Sequence, residues 1–304
     1  MKKLVIYLTL STAVLFAACN EEDEVVPGAD YVTPAFNVTA ESVITTDAAI
    51  EDVVEAADYE ADLYTGTFDI LDDLSAEAMS DDQLKSSTER FRDRYRVGRP
   101  DITIEWTDGD YPRTVTLDYG EETELANGRI ISGIIQIEVS APLYTDSATR
   151  TITFTDFSVD SLIINGTIEK EYGVTEKEVF IVRNLTITLP DGLEIDCYAE
   201  VTRSWTEGMD TPFYHADDVL EITGYSNCTD SEGNEYRREI TESLKKKGSC
   251  RFLVSGEVSY SVNGQVFGTV DYGDGTCDNI GYYTTSEGTQ EFNIGRRIRM
   301  RLNN

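Results

Sequence analysis

From about residue 90 onward, apolar and polar side chains alternate with a period of two, and this feature most restricts how the chain can fold. Successive side chains of a β-strand point to opposite faces of a sheet, so the alternation is typical of strands with one buried face. Clusters of Gly, Asn and Asp separate the alternating stretches, as turns between antiparallel strands require. The pattern therefore predicts a mainly β fold.

Several predicted strands exceed the usual length of about five or six residues. The stretches are DITIEW (101–106), RTVTLDY (113–119), 129–141, 150–172, 178–190, 193–205, 219–228, 235–244, 249–273 with a hairpin inside it, and RRIRMRL (296–302). Long consecutive strands of this kind predict a large antiparallel meander, a sandwich or an open barrel.

A short helical segment precedes the strands. Its apolar residues recur at helical spacing, with acidic residues on the opposite side: Ile50, Val53, Val54, Ala57 and Ala61 against Glu51, Asp52, Glu55 and Asp58. A second helix is predicted over 76–87. We therefore assign residues 46–89 to a helical segment and residues 90–304 to an antiparallel β domain.

The N-terminus has the pattern of a secretory signal peptide over residues 1–18. Lys2 and Lys3 precede an apolar run that is too short to span a bilayer and that ends in small residues. The alternative interpretation is a buried N-terminal helix. Export is favoured because the basic start, the apolar length and the small residues occur together.

Phe16-Ala17-Ala18-Cys19 resembles a bacterial lipobox. The resemblance implies cleavage before Cys19 and attachment of acyl chains such as palmitate, which would anchor the protein to a membrane. The acidic stretch 20–24 resembles the signal that sends Bacteroidota lipoproteins to the outer face of the outer membrane. The alternative is a solvated charge run in a tether over 19–45.

The formal net charge of −32 limits the partners of the chain. Such an excess of carboxylates repels nucleic acids and anionic lipid headgroups, so neither DNA binding nor peripheral docking on a membrane is expected. Contact with the membrane is instead expected through the lipid anchor.

Four cysteines remain besides Cys19, and in an exported protein they predict two disulfides. Cys250 and Cys277 lie within about one residue of opposition around a turn at Asn263-Gly264, whether that turn has two residues or three with a bulge. Cys197 and Cys228 lie on adjacent predicted strands, in phase with apolar neighbours. We predict the pairs 197–228 and 250–277; the alternative is four free buried thiols.

Residues 110–280 resemble a group of uncharacterised Bacteroidota lipoproteins. The stretches that carry the resemblance are 150–169, RSWTEGMDTP (203–212), DDVLEITG (217–224) and above all 250–279, which contains DYGDGTCDN. The resemblance implies a long-stranded β fold in the cell envelope. It implies no activity, so no catalytic residue is transferred.

A calcium site is one interpretation of the DYGDGTCDN stretch. Asp271, Asp274 and Asp278 surround two glycines, and calcium prefers oxygen ligands on a bent loop. The spacing differs from that of an EF-hand loop. The alternative is a capped turn held by the disulfide.

Catalytic motifs are scarce. The chain has a single histidine, His215, which excludes a zinc site built from several histidines, and it contains neither a G-x-S-x-G nucleophile elbow nor a G-x-x-x-x-G-K-[ST] loop. Paired carboxylates could hydrolyse a glycosidic bond. In a chain with 57 acidic residues, however, some suitable pair is always expected, so its presence does not indicate a glycosidase. We therefore expect a non-enzyme, with a carboxylate-based glycoside hydrolase as the alternative.

Two groups of side chains are candidates for binding a ligand. Arg92, Arg94 and Arg96 alternate and would share one strand face, suited to an anionic polysaccharide or to pairing with nearby acids. Trp205, together with Trp106, Tyr198, Tyr214 and Tyr225, could stack on sugar rings or pack in the core.

The sequence therefore predicts a lipid-anchored envelope protein with a non-catalytic binding or structural role, contacting polysaccharide or another envelope protein. It predicts no cofactor other than the candidate calcium ion. A carrier that holds an apolar molecule between long strands is a further alternative.

Overall fold

A computed structural model of the chain describes residues 40–74, 98–106, 111–125, 128–142, 145–210 and 215–294. The described residues form one α-helix, one short 3₁₀ turn and a single antiparallel sheet of 14 strands that does not close. The mainly β prediction is confirmed, and of the arrangements considered the structure has the open meander.

The helix α1 spans Ala40–Leu74, and the 3₁₀ turn spans His215–Asp217. The strands are β1 (Asp101–Trp106), β2 (Arg113–Asp118), β3 (Thr123–Glu124), β4 (Ile130–Val139), β5 (Ala148–Val159), β6 (Leu162–Gly173), β7 (Glu178–Thr188), β8 (Glu194–Glu207), β9 (Val219–Asp230), β10 (Glu235–Lys247), β11 (Leu253–Val262), β12 (Gln265–Asp274), β13 (Ile280–Thr285) and β14 (Gly288–Asn293).

Each strand pairs with the strand that precedes it in the chain, except that β4 follows β2 in the sheet and the short β3 adds to β4. This order needs only short connections, which suits a chain whose turn residues recur between alternating stretches. Sequence neighbours are therefore also neighbours in space.

The structure divides one predicted stretch and adds three strands. Residues 150–172 form the hairpin β5–β6, because Asp160 and Ser161 adopt positive φ angles of 50° and 81° and reverse the chain. Strands β3, β13 and β14 were not predicted, since β3 has only two residues and the alternation in the other two is interrupted by Gly and Asn. The predicted helix over 76–87 and the predicted strand over 296–302 lie outside the described residues.

The helix begins at Ala40, inside the segment that we assigned to the tether. Its first turns contain β-branched residues of modest helix propensity, which is why the sequence did not indicate a helix there. Ile44 in this part is buried against Leu244, Val258 and other residues of strands β10–β12. Burial against the sheet thus outweighs local propensity.

The turn at Asn263-Gly264 has two residues, with φ angles of 49° and 78°, and Val262 pairs with Gln265. A bulge then shifts the register, so that Val258 faces Val270. Of the two turn lengths that the sequence left open, the structure therefore has the two-residue turn, and a bulge further along the hairpin brings the apolar side chains of Val258 and Val270 opposite each other.

One face of the sheet, which we call the inner face, packs against α1. The larger buried cluster joins Val53, Val54, Ala57, Ala61 and Tyr64 of the helix to residues of β2 and β4–β8. A smaller cluster joins Ile44 to β10–β12. The helix therefore crosses the sheet and connects both parts of the core.

Glycines within the strands allow adjacent backbones to approach closely. Gly166 in β6 has a φ of +114°, and a Cβ atom there would lie 2.1 Å from the carbonyl oxygen of Asn184 in β7. Gly224 in β9 makes the same approach to Glu200 of β8, at 2.1 Å. Only glycine fits such positions in a continuous sheet.

We expect Gly166→Ala to lower the free energy of unfolding by at least about 3 kcal/mol, because it adds both backbone strain and overlap with the adjacent strand. The matched control is Gly192→Ala, at a turn with a φ of +90° where a Cβ would meet nothing within 4 Å. This control should cost only about 1 kcal/mol. Chemical denaturation measures both, and equal losses would contradict the packing role of Gly166.

Candidate functional site

A row of cations crosses the inner face beneath α1. Strands β5, β6, β7, β8 and β10 each place one basic side chain there, and a further one immediately precedes β4: Arg150, Lys170, Arg183, Arg203, Arg238 and Arg129. Each of them pairs with a carboxylate of the helix. The acidic stripe of α1 is therefore neutralised strand by strand.

Asp58 lies at the centre of this row. Its Oδ1 is 2.5 Å from Lys170 Nζ, and its Oδ2 is 3.2 Å from Arg203 Nη1. Burial alone would raise the pKa of Asp58, but Lys170 and Arg203 outweigh burial and lower the pKa to about 2. Burial would lower the pKa of Lys170, and Asp58 with Asp62 raises it instead. Both side chains are therefore ionised at neutral pH.

Neighbouring pairs extend the row in both directions. Asp62 contacts Lys170 at 3.0 Å and Arg150 at 3.2 Å, and Glu51 contacts Arg183 at 3.1 Å. Burial would raise the pKa of Glu51, but Arg183 and Arg238 lower it. These carboxylates pair with cations of the sheet and thereby hold the helix against it. The ion pairs are therefore structural.

At the N-terminal part of α1 the balance between burial and neighbouring charges differs. Asp47 accepts a hydrogen bond from Tyr260 Oη at 2.8 Å and lies 3.4 Å from Arg238 Nε. Burial nevertheless dominates and raises the pKa of Asp47 to about 6. Asp47 is thus the least stabilised carboxylate of the row.

The cations of the row were not predicted, although the sequence contains a signal for them. Each cation on a central strand lies two residues from a buried isoleucine of the same strand, and is therefore in phase with the buried face. The pairs are Arg150 with Ile152, Lys170 with Ile168, and Arg183 with Ile181. A basic residue in phase with apolar neighbours requires a buried partner.

On the opposite, outer face, strands β8, β9 and β10 present a group of side chains that we call the tyrosine platform. It consists of Tyr198, Glu200, Tyr225, Asn227, Arg237 and Glu239. The rings of Tyr198 and Tyr225 lie 6.4 Å apart between centroids, and the Arg237 guanidinium carbon lies 4.6 Å from the Tyr225 ring centroid.

Hydrogen bonds within the tyrosine platform fix its side chains. Tyr198 donates to Glu200, which raises the pKa of Tyr198 to about 12 and keeps its hydroxyl protonated. Arg237 donates to Asn227 at 2.9 Å and to Glu239 at 3.2 Å. Tyr198 is 36% exposed, so one aromatic ring and several polar groups face solvent together.

The disulfide between Cys197 and Cys228 lies next to the tyrosine platform. The two cysteines face each other across β8 and β9, with Cα atoms 4.1 Å apart, and the adjacent pair in the register is Tyr198 with Asn227. The disulfide therefore cross-links, from the inner side, the two strands that carry the tyrosines. This pair and Cys250–Cys277 confirm the predicted disulfide connectivity.

The carboxylates predicted to hold calcium form local turns. Asp271 accepts a hydrogen bond from Gly273 N, Asp274 from Thr276 N and Asp278 from Ile280 N, at 2.8 to 3.0 Å. Within the part of the chain that the structure describes, no group of three or more His, Cys, Asp or Glu side chains has a metal-binding arrangement. The calcium site stays a prediction.

Asp274 also lines an open polar cleft of about 650 Å³ beside the Cys250–Cys277 disulfide, together with Glu207, Asp217, Lys245 and Lys247. Lys247 donates to Gly275 O at 2.8 Å, and Lys245 lies 3.4 Å from Glu221. None of its described lining residues is aromatic. The cleft therefore lacks a stacking surface in the described residues.

The structure separates the other predicted site residues. Trp205 is partly buried on the inner face, packed against the main core cluster, so it is not part of an exposed binding surface. Tyr198 and Tyr225 come together, while Arg237 was missed because only strand pairing brings it beside them. Cys19, Arg92, Arg94 and Arg96 lie outside the described residues.

No family model matches the chain, and no curated protein and no solved structure is significantly similar to it. None of the described residues belongs to a helix with the length and hydropathy needed to cross a membrane.

We expect Lys170→Met to lower the free energy of unfolding by about 3–5 kcal/mol, because it leaves the buried Asp58 without its nearest cation. The control is Asp52→Asn. Asp52 is also a helix carboxylate and pairs with Arg129, but the Asp52 side chain is 61% exposed. That change should cost less than about 1 kcal/mol. Denaturant titration at neutral pH compares them, and a similar small cost for both would show that the row does not hold the helix.

The pH dependence of stability should reflect Asp58. Because the pKa of Asp58 is lowered in the folded state, its contribution is present above pH 4 and is lost as pH falls toward 2. We expect a loss of about 2 kcal/mol from this group between pH 4 and pH 2. Asp47 has the opposite effect on stability, over a different pH range. Because its pKa is raised in the folded state, the free energy of unfolding falls as pH rises from about 4 to about 6.

Denaturation curves of the wild type and Asp58→Asn between pH 2 and pH 5 measure this effect. The variant should be less stable at pH 5 and should lose less stability on acidification. Parallel pH profiles for the two proteins would contradict the assigned role of Asp58.

Proposed function

We propose that this protein is a lipid-anchored, surface-facing envelope protein that binds glycans, without catalysis, through the tyrosine platform. The lipobox at Cys19 and the acidic stretch after it support the anchor and the location. The observation that carries the binding role is the Tyr198–Tyr225 pair on an open sheet face, in which Tyr198 is exposed, Tyr225 is partly exposed and Arg237 lies beside Tyr225.

The chemistry of the tyrosine platform suits a sugar. Aromatic rings offer apolar faces on which the C–H groups of a pyranose can pack, and Tyr retains a polar hydroxyl at its edge. Glu200, Asn227, Glu239 and Arg237 supply acceptors and donors for sugar hydroxyls. Arg237 additionally supplies a positive charge for an anionic sugar.

The rest of the architecture is consistent with binding on the outer face. Helix α1 and its ion pairs occupy the inner face, so a polymer as wide as a polysaccharide has no access there. The Cys197–Cys228 disulfide and the hydrogen bonds of Tyr198 and Arg237 order the tyrosine platform before a ligand arrives. A pre-ordered surface loses less conformational entropy on binding.

The experiment that tests the proposal is a glycan-array screen of the full chain, with and without calcium. Binding to a defined set of polysaccharides supports the proposal, and a preference for anionic ones assigns a role to Arg237. Binding that appears only with calcium would support the predicted site at Asp271, Asp274 and Asp278. Silence in both conditions would contradict glycan binding.

For a glycan that binds on the array, Tyr225→Ala and Tyr198→Ala should each weaken binding roughly tenfold, because each removes a stacking surface worth about 1.4 kcal/mol. Isothermal titration calorimetry measures the change. The control is Tyr282→Ala, which removes another exposed tyrosine of the sheet, 41% accessible and located on β13. If Tyr282→Ala weakens binding while the other two do not, the site lies elsewhere on the sheet.

A further inference from the structure

A cavity of about 210 Å³ lies between the N-terminal half of α1 and the inner face of strands β8–β11. It lies on the inner face, whereas the tyrosine platform lies on the outer face, and of the platform residues only Arg237 also lines the cavity. Neither the ion-pair row nor glycan binding requires an unfilled space at this place.

The surface of the cavity wall is mostly apolar, although several polar residues also line it. Val43, Ile50, Leu189, Leu193 and Ile195 contribute aliphatic side chains. The ionisable lining residues are Asp47, Asp230, Tyr236, Arg237, Arg238 and Tyr260. Small-molecule sites commonly combine a largely apolar lining with a few polar groups that fix orientation.

Most of these polar groups are already engaged. Asp230 accepts hydrogen bonds from Glu232 N, from Asn234 N and Nδ2, and from Tyr236 Oη, at 2.8 to 3.0 Å. Asp47 accepts from Tyr260. The carboxylates of the cavity therefore have little capacity left for a cationic ligand.

Arg238 is the exception. Its Nε is buried and makes no hydrogen bond with any described residue, although it lies 3.4 Å from Asp47 Oδ2. The ion pair with Asp47 supplies attraction but no hydrogen bond to this N–H group. A buried N–H group that makes no hydrogen bond is unfavourable and rare in folded proteins, so the site favours an acceptor from outside the chain.

The surrounding charges restrict that acceptor. Arg238 and Arg183 face Asp47 and Glu51, so the charges of these four residues balance. An anionic ligand would add an uncompensated buried charge, whereas a neutral oxygen would satisfy Arg238 without one.

We propose that the cavity binds one small neutral molecule with an apolar body and a carbonyl or hydroxyl oxygen that accepts a hydrogen bond from Arg238. A cavity of about 150 Å³ takes benzene, so this larger one suits a single ring with a short substituent or a chain of comparable volume. The protein would then hold a small apolar compound on its inner side and a glycan on its outer side.

The test compares three probes of similar size on the full chain: acetophenone, ethylbenzene and benzoate. Saturation-transfer NMR titrations give their affinities. Acetophenone should bind about tenfold more tightly than ethylbenzene, which lacks the acceptor, and than benzoate, which carries a charge.

Two cavity-filling variants locate the binding. Ile50→Trp and Val43→Phe each add side-chain volume from the helix and should weaken acetophenone binding at least about tenfold. The use of two variants guards against one failing to fold, which circular dichroism would reveal. The control Tyr225→Ala, on the outer face, should bind acetophenone as the wild type does.

Three results would overturn the proposal. They are no acetophenone binding up to about 10 mM, equal or tighter binding of ethylbenzene or benzoate, and unchanged affinity in a folded cavity-filling variant. Because Ile50→Trp and Val43→Phe test the inner face with acetophenone, and Tyr198→Ala and Tyr225→Ala test the outer face with a glycan, failure of one proposal leaves the other standing.

Discussion

The row of ion pairs between α1 and the sheet is the interaction on which the rest of the structure depends. A single helix must cover the inner face of many strands, and its apolar residues reach only part of that face. The remaining contact is made by carboxylates of α1 with one cation from each of several strands. Since a buried charge without a partner is strongly destabilising, these pairs fix both the position and the direction of the helix.

This interface also gives some of the many acidic residues a structural role. The acidic residues on the inner side of α1 are neutralised by Lys170 and the arginines of the row, and none of those basic groups is exposed to attract a polyanion. The net charge of −32 is therefore carried mainly by residues outside this row. Within the tyrosine platform, Arg237 is therefore a local positive group on an acidic surface.

The sequence predicted the elements well and the sites less well, for physical reasons. A period of two is a direct consequence of strand geometry, so most strands were found, and the neighbouring strands of a meander made Cys197–Cys228 predictable. The ion pairs join residues far apart in the chain, such as Glu51 and Arg183, and only the packed helix shows which acid meets which base. Trp205 illustrates the limit, since an aromatic residue near the end of a strand has the same local pattern whether it faces solvent or the core.

The proposed division of roles, with an inner face covered by α1 and a glycan-binding outer face, is tested most directly by hydroxyl-radical footprinting with a glycan that binds on the array. The account predicts that Tyr198 and Tyr225 lose reactivity in the complex, while Tyr59 and Tyr282, which are exposed at 54% and 41%, keep theirs. Unchanged oxidation of Tyr198 and Tyr225 with protection elsewhere would contradict it.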